Sequence, residues 1–139
     1  MFAGDGAYGQ DLIAQGGDAV EGVIVTSFWH STLTDANSKR FTVRFGNLFG
    51  GGTPNANALQ AYDAARTLIE ALRRAPQLKT GSDVRAALET LRKTPGQGVT
   101  APVRFDANGD VVGRPWVGIQ VQRNASSGTL RFQAIGYAK

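Results

Sequence analysis

The sequence contains no cysteine and only one histidine, His30. Without thiols the chain can form no disulfide bond and offers no thiolate nucleophile or metal ligand. A Ser-His-Asp catalytic set or a histidine-rich metal centre would have to be built around His30 alone. A nucleophile-elbow pattern and a cluster of carboxylates are missing too. We therefore expect a protein that is not an enzyme and that needs neither a metal ion nor a cofactor.

Long apolar runs and clusters of like charge are missing as well. No stretch approaches the ~18 apolar residues of a membrane span, and the start "MFAGDGAYG" lacks the basic and long apolar regions of a signal peptide. With 42% hydrophobic and 19% charged residues, the 139-residue chain has the composition and length of one soluble domain. The net charge of +4 is dispersed along the chain, so we expect no nucleic-acid partner.

A glycine-rich loop near the start, "GDGAYG", matches the G-x-G-x-x-G pattern of dinucleotide-binding loops. Such a loop follows a buried strand, opens a helix and is succeeded about 20 residues later by an acid. Here only three residues precede the loop, and a count of 20 from Asp5 reaches Val25. The carboxylate of Asp5 would also repel a phosphate group held by the loop. The loop is therefore not expected to bind a dinucleotide.

Hydrophobic periodicity after the loop predicts one strand and then three helices. The run "EGVIVTSFW" is rich in β-branched residues and predicts a buried strand. "RFTVRFGNLF" has helical spacing and ends at a triple glycine. The longest helix is predicted in "NANALQAYDAARTLIEALRRAP", and its apolar stripe, including Tyr62, Leu68 and Leu72, is expected to pack on a sheet. A shorter helix in "SDVRAALETLRK" is preceded by a capping box formed by Thr80 and Asp83.

After Pro95 the pattern changes to strands. "APVRFDANGDVVG" predicts a hairpin with a tight turn at Asn108–Gly109. "RPWVGIQVQR" and "TLRFQAIGYA" alternate in hydrophobicity on either side of "NASSG", which predicts an antiparallel pair. The chain is therefore of the α/β class and has a C-terminal antiparallel β segment. Its strands are too few to cover the helices, so we expect them to be part of a larger sheet.

These segments, in this order, resemble the C-terminal portion of a type I periplasmic substrate-binding protein, in the group of leucine/isoleucine/valine-binding receptors of ABC transporters. The resemblance is carried by "AGDGAYG", by the "EGV" strand, by the "FTVRF" and "YDA" helices and by "FDANGD", and it extends over nearly the whole chain. It implies two Rossmann-like three-layer lobes with the ligand in the cleft between them. Residues 1–31 and about 112–139 would belong to the second lobe, and about 32–111 to the first lobe and the crossings.

The same resemblance implies a set of ligand-binding residues. In branched-chain amino-acid receptors an acid in the glycine loop accepts the ligand's α-ammonium group, and Asp5 stands at that position. A familiar member of that group has glutamate at this position, and the shorter aspartate leaves the ligand's identity open. The alternative is that Asp5 only forms a turn. Tyr8 would line the cleft or remain a surface residue, while Trp29, after the "VIVTS" strand, would contact the ligand, with His30 as a further candidate. Asp63 is expected to stabilise the dipole of its helix.

The function implied by the resemblance is non-catalytic. A small amino-acid-like ligand would be captured by closure of the two lobes and delivered to the membrane permease of an ABC transporter, in the periplasm or another extracytoplasmic space. The alternative is a ligand-sensing domain of a receptor or a kinase-fused signalling protein, and an α/β enzyme is the third class considered. The family's N-terminal portion is missing here, so we also expect exposed apolar faces and a homodimer of this chain, with elements exchanged between copies.

Overall fold

The computed structural model of the chain describes residues 1–137. The chain forms two compact units: residues 1–35 together with the chain from Pro115 onward, and Ala36–Arg114. Which lobes of a larger protein these two units correspond to stays a prediction. Within the described residues, no helix combines the length and the apolar character that a membrane crossing requires.

The chain contains the following helices and strands. They are β1 (Phe2–Ala3), α1 (Gln10–Gly16), β2 (Ile24–Ser27), α2 (Ala36–Leu48), α3 (Ala56–Arg74), α4 (Gly81–Glu89), β3 (Arg104–Phe105), β4 (Val111–Val112), β5 (Val117–Arg123) and β6 (Leu130–Tyr137). Short 3-10 turns lie at Asp5–Ala7, Gly17–Val20 and Thr90–Arg92. The predicted α/β class is confirmed.

The first unit contains a four-stranded mixed sheet in the order β1-β2-β5-β6. β1 runs parallel to β2, while β2 and β5, and β5 and β6, are antiparallel. The predicted strand "EGVIVTSFW" forms β2, where Val25 is fully buried and Thr26 is exposed. On β5 the alternate residues Val117, Ile119 and Val121 are fully buried. This alternation places the core of the unit on one face of the sheet.

Both predicted hairpins are present, and each has a turn that is stabilised locally. Between β3 and β4, the Asp106 carboxylate accepts hydrogen bonds from the N–H groups of Asn108 at 2.8 Å and Asp110 at 3.0 Å. Gly109 has φ +91, a conformation that favours glycine. Between β5 and β6, Asn124 accepts a hydrogen bond from the N–H of Ser126 at 2.9 Å. These turns bring strands close in sequence into antiparallel register.

The second unit is organised around the packing of α3 against α4. Its core contains Ala71, Ala87 and Leu91, against which Phe105 of β3 packs. α4 begins at the predicted capping box: the Thr80 side chain accepts from the N–H of Asp83, and the Asp83 side chain accepts from that of Thr80. The small alanines at the contact allow the two helices to approach closely.

The predicted contact face of α3 is wrong. The stripe of Tyr62, Leu68 and Leu72 is expected to pack on a sheet, but Tyr62 and Leu68 are 41% and 39% exposed and Leu72 is only half-buried. The buried residues of this helix are Ala56, Leu59, Asp63, Thr67 and Ala71. The side that packs in this unit therefore carries small and polar residues, and much of the apolar stripe faces outward. Asp63 also lies in the middle of the helix and is buried, so its predicted interaction with the helix dipole is wrong as well.

Candidate ligand-binding site

The glycine loop joins β1 to α1 and carries Asp5 on its outer side. The chain turns here through a 3-10 helix, with hydrogen bonds from Ala7 N–H to Gly4 C=O at 3.1 Å and from Tyr8 N–H to Asp5 C=O at 2.9 Å. Because β1 and β2 are parallel, the loop after β1 and the segment after β2 meet at the same edge of the sheet. This edge is where polar groups of α/β proteins commonly bind ligands.

The carboxylate of Asp5 is exposed and has no counter-ion within residues 1–137. One oxygen, Oδ1, accepts a hydrogen bond from the N–H of Gly6 at 3.0 Å. Asp5 therefore forms the local turn contact that is its alternative role in the sequence analysis. It engages only one of the two carboxylate oxygens, so the other remains able to accept a hydrogen bond from a bound group.

The glycines of this loop are not required by the chain's own packing. A Cβ atom added at Gly4, Gly6 or Gly9 would meet nothing within 4 Å. None of the three has a positive φ. The absence of side chains instead leaves open space in front of the loop backbone. A molecule that approaches Asp5 would meet no side chain at these three positions.

Tyr8 is half-buried and packs between two aromatic rings of the same unit. Its ring lies edge-on to Phe132, with centroids 4.9 Å apart, and is tilted against His30 at 5.8 Å. Burial raises the pKa of the Tyr8 hydroxyl to about 12. Tyr8 is therefore a neutral phenol at physiological pH, able to donate and to accept a hydrogen bond.

His30 is buried and is held in one orientation by Thr32. Its Nδ1 accepts the backbone N–H of Thr32 at 3.2 Å and lies 2.8 Å from the Thr32 hydroxyl. That hydroxyl in turn accepts the N–H of Ala134 at 3.0 Å. Because Nδ1 acts as an acceptor, the proton of the neutral ring is assigned to Nε2. Burial lowers the pKa of His30 to about 4, so the ring is a neutral hydrogen-bond donor at physiological pH.

The other aromatic residues after β2 have different surroundings. Trp29 is fully buried, and its carbonyl accepts a hydrogen bond from the Ser27 hydroxyl at 3.3 Å. The ring of Phe28 packs on Trp116 with centroids 4.3 Å apart. Trp29 therefore has a packing role in this chain, and its contact with a ligand stays a prediction.

The structure brings some of the predicted residues together and adds two that sequence reasoning missed. Asp5 and Tyr8 share the loop, and Tyr8 contacts His30. The additional residues are Phe132, which supports Tyr8, and Thr32, which orients His30. Phe132 is separated from Tyr8 by most of the chain, so only the pairing of β6 into the sheet reveals the contact.

The site combines charged and neutral polar groups. It offers an unpaired carboxylate on Asp5 and a neutral phenol on Tyr8, beside the buried neutral imidazole of His30. A carboxylate and a phenol are groups that can form hydrogen bonds with a small molecule. Among the described residues, no group of three or more His, Asp or Glu side chains is placed to hold a metal ion. The glycine loop and the mixed sheet together define an α/β unit with polar groups at one edge of its sheet.

The family of this chain follows from its sequence. The pattern of the periplasmic binding protein family matches residues 1–128. The chain therefore belongs to the periplasmic binding protein family, and the resemblance stated from its motifs is confirmed. No curated protein matches the sequence significantly.

Solved structures of ABC-transporter components share the fold. A leucine-binding protein from Thermotoga maritima is 28% identical, with a TM-score of 0.73 over 96% of this chain and 36% of its own. An ABC transporter substrate-binding protein from Desulfitobacterium hafniense, in complex with Leu, is 26% identical, with a TM-score of 0.67 over 95% of this chain and 35% of its own. At 19% identity, a benzoate-bound solute-binding protein from R. palustris shares the fold, with a TM-score of 0.61 over 91% of this chain and 32% of its own. The chain thus spans about a third of the length of the structures it matches.

Proposed function

We propose that this chain forms part of a substrate-binding protein that captures a small amino-acid-like ligand for an ABC transporter. The ligand is bound in a cleft between two lobes, which close around it and present it to the membrane permease. The protein acts in the periplasm or another extracytoplasmic space and does not transform its ligand. Membership of the periplasmic binding protein family supports this proposal.

The observation that carries the choice of ligand is the exposed, unpaired carboxylate of Asp5. An α-ammonium group placed against its second oxygen would form a charge-assisted hydrogen bond, which contributes roughly 1.5–3 kcal/mol. Tyr8 is proposed to line the same space with its phenol, and Trp29 to contact the ligand from the segment after β2. The open space over the loop glycines gives the ligand access to Asp5.

The charge of Asp5 also discriminates between ligands that the related structures contain. One of these structures holds leucine, which carries an ammonium group, and another holds benzoate, which carries only a negative charge. A carboxylate that faces the ligand attracts the first and repels the second. We therefore propose a ligand with an ammonium group rather than a simple aromatic acid.

Calorimetry on the complete gene product tests this proposal. Leucine, valine and alanine would be compared with benzoate and with 4-methylpentanoate, which is leucine without its ammonium group. We expect at least one of the amino acids to bind and to be recovered unchanged, and we expect neither benzoate nor 4-methylpentanoate to bind. Binding of benzoate or 4-methylpentanoate in preference to the amino acids would contradict the proposed ligand class, and consumption of the ligand would contradict the non-catalytic role.

A further inference from the structure

A second concave surface lies entirely within the unit Ala36–Arg114. We call it the α2–α3 groove: it is formed by α2, the first half of α3 and the loop 95–102, and its volume is about 1190 Å³. The floor is a row of phenylalanines along α2. The rings of Phe41 and Phe45 are 6.2 Å apart, and those of Phe45 and Phe49 are 4.4 Å apart. Tyr62 of α3 continues the aromatic surface, with its ring 5.3 Å from Phe41.

Arginines line this groove, and acidic residues do not. Arg40 and Arg44 contribute from α2 and Arg66 from α3, and no Asp or Glu is among the described residues that form the lining. Arg66 donates a hydrogen bond to Gln97 in the loop wall. Within residues 1–137, neither Arg40 nor Arg44 forms an ion pair. The two guanidinium groups are therefore available to an anion.

The charge of the whole unit favours the same kind of partner. Residues 36–114 carry twelve of the fifteen basic residues and six of the eleven acidic residues, which gives a formal charge of +6. The rest of the chain carries three basic and five acidic residues, which gives −2. An anion is thus attracted to the unit that contains the groove and repelled by the unit that contains Asp5.

The loop 95–102 and the preceding Thr94 are held against α3 by three hydrogen bonds. Asp63 accepts the N–H of Val99 at 3.0 Å, and Glu70 accepts the N–H of Gln97 at 3.2 Å. Arg74 donates to the carbonyl of Thr94 at 3.0 Å. These contacts hold the wall in place before any ligand arrives, which reduces the entropy lost on binding.

We propose that the α2–α3 groove binds a small organic anion with an apolar or aromatic body. The body lies on the phenylalanine row, and the acid group is held by Arg40 and Arg44, one helical turn apart on the same side of α2. The planar guanidinium fork suits a carboxylate or sulfonate group, and aromatic walls suit the rest of such a molecule. The groove, at about 1190 Å³, exceeds the roughly 300–1,000 Å³ of ordinary ligand pockets and is large enough for such a molecule. The same arginines would repel an ammonium group, so this site differs from the one proposed around Asp5.

Titration of the complete gene product with two fluorescent probes tests the groove. One probe is 8-anilinonaphthalene-1-sulfonate, and the other is N-phenyl-1-naphthylamine, which has the same rings without the sulfonate. The variant Arg40→Gln/Arg44→Gln removes both groove cations at nearly unchanged helix propensity. Lys39→Gln is the matched control, because Lys39 lies on α2 and is exposed outside the groove lining. We expect saturable binding of the sulfonate with one site per chain, weakened about ten-fold in the double variant and unchanged in the control.

The neutral probe should bind wild type and double variant equally, because it makes no use of the arginines. Equal sulfonate affinity in all three proteins would overturn the proposal, because the probe would then bind apolar surface without using the arginines. An equal loss of affinity in Lys39→Gln would also overturn it, because the probe would then respond to basic charge in general. Loss of the site as the protein concentration rises would show instead that a second copy covers the groove.

Circular dichroism checks that the variants fold, and the single variant Arg44→Gln replaces the double variant if that one does not. Asp5→Asn should leave sulfonate binding unchanged, so this test fails or succeeds independently of the proposed amino-acid site.

Discussion

The carboxylate of Asp63 lies 3.1 Å from the guanidinium of Arg114, which is 51 residues further along the chain. Asp63 is only 1% exposed, and its other oxygen accepts the N–H of Val99. Burial raises the pKa of Asp63, while the Val99 hydrogen bond and the Arg114 charge act against that rise. The positive charge of Arg114 compensates the buried negative charge of Asp63. The ion pair also fixes Arg114, the last residue of its unit, to the middle of α3.

Removal of this buried charge should destabilise the chain strongly. Asp63→Asn keeps the shape of the side chain and an acceptor for Val99 but leaves Arg114 without a counter-ion. We expect a loss of about 3 kcal/mol in the free energy of unfolding, measured by urea denaturation. The control is Glu89→Gln, which removes the acid of exposed ion pairs with Arg85 and Arg92 and should cost less than about 0.5 kcal/mol. Equal losses of unfolding free energy in the two variants would show that the buried ion pair stabilises the fold no more than the exposed pairs do.

The case of Asp63 illustrates which features could be predicted from sequence. The hairpin at Asn108–Gly109 and the capping box at Thr80 depend on residues within a few positions of one another, and both predictions are confirmed. The buried face of α3 depends on the elements that pack against it, and the prediction from apolar periodicity selected the wrong side. Asp63 can be buried because the distant groups Val99 and Arg114 satisfy its charge. The residues next to Asp63 in the sequence give no indication of these contacts.

The same limit applies to the candidate site. The glycine loop could be predicted as a candidate site because a carboxylate between glycines, at Asp5, is visible in the sequence itself. The support of Tyr8 by Phe132 and the orientation of His30 by Thr32 depend on strand pairing and on the path of the chain after β2. They could not be inferred from spacing alone.

His30 should make stability depend on pH between about 4 and 6.5. Its folded pKa of about 4 lies below the unfolded value of 6.5, so in this window the unfolded state binds more protons. The free energy of unfolding should therefore fall as the pH falls, by up to about 3 kcal/mol from this residue. His30→Asn keeps an acceptor near Nδ1 but cannot be protonated, and it should remove this dependence when urea denaturation is compared at pH 7 and pH 4.5.

The difference between wild type and the Asn variant isolates the histidine. Asp63 has a raised pKa and changes stability in the opposite direction in this range, but it is present in both proteins. Hydrogen bonds from backbone N–H groups lower the pKa values of Asp83 and Asp106, whose contributions are lost only below about pH 4. Because the chain has a single histidine, its proton NMR signal can be assigned directly. Titration of that signal near pH 6.5 would contradict the buried, neutral ring.

The capping box should contribute measurably to α4. Thr80→Ala removes the side-chain oxygen that accepts the N–H of Asp83 at 3.3 Å. We expect a loss of about 1 kcal/mol in the free energy of unfolding. Ser82→Ala, two residues away in the first turn of the same helix, removes a hydroxyl that caps nothing in the described structure and should have little effect. A loss of the same size in both variants would mean that the cap is not the cause.

Exposed apolar residues should lead this chain to associate. On α3, Leu68 and Ile69 are 39% and 50% exposed and neighbour one another. Such a face is stabilised when a second copy covers it. We expect light scattering at tens of micromolar to give a mass above the 14.7 kDa of one chain. Ile69→Lys should shift the mass towards that of the monomer, whereas Ala125→Lys, in an exposed turn, should not. A wild-type monomer at this concentration would contradict the prediction.

The most direct test of the proposed function is calorimetry of leucine binding to the complete gene product and to its Asp5→Asn variant. Asn keeps the size and the hydrogen bond to Gly6 but removes the charge that faces the ligand's ammonium group. Affinity should fall by roughly 2–4 kcal/mol, or on the order of thirty-fold to a thousand-fold in Kd. Asp11→Asn removes the same charge from the exposed first turn of α1 and should leave Kd unchanged. Equal leucine affinities in wild type and Asp5→Asn would contradict the account and leave Asp5 as a turn residue in a glycine loop.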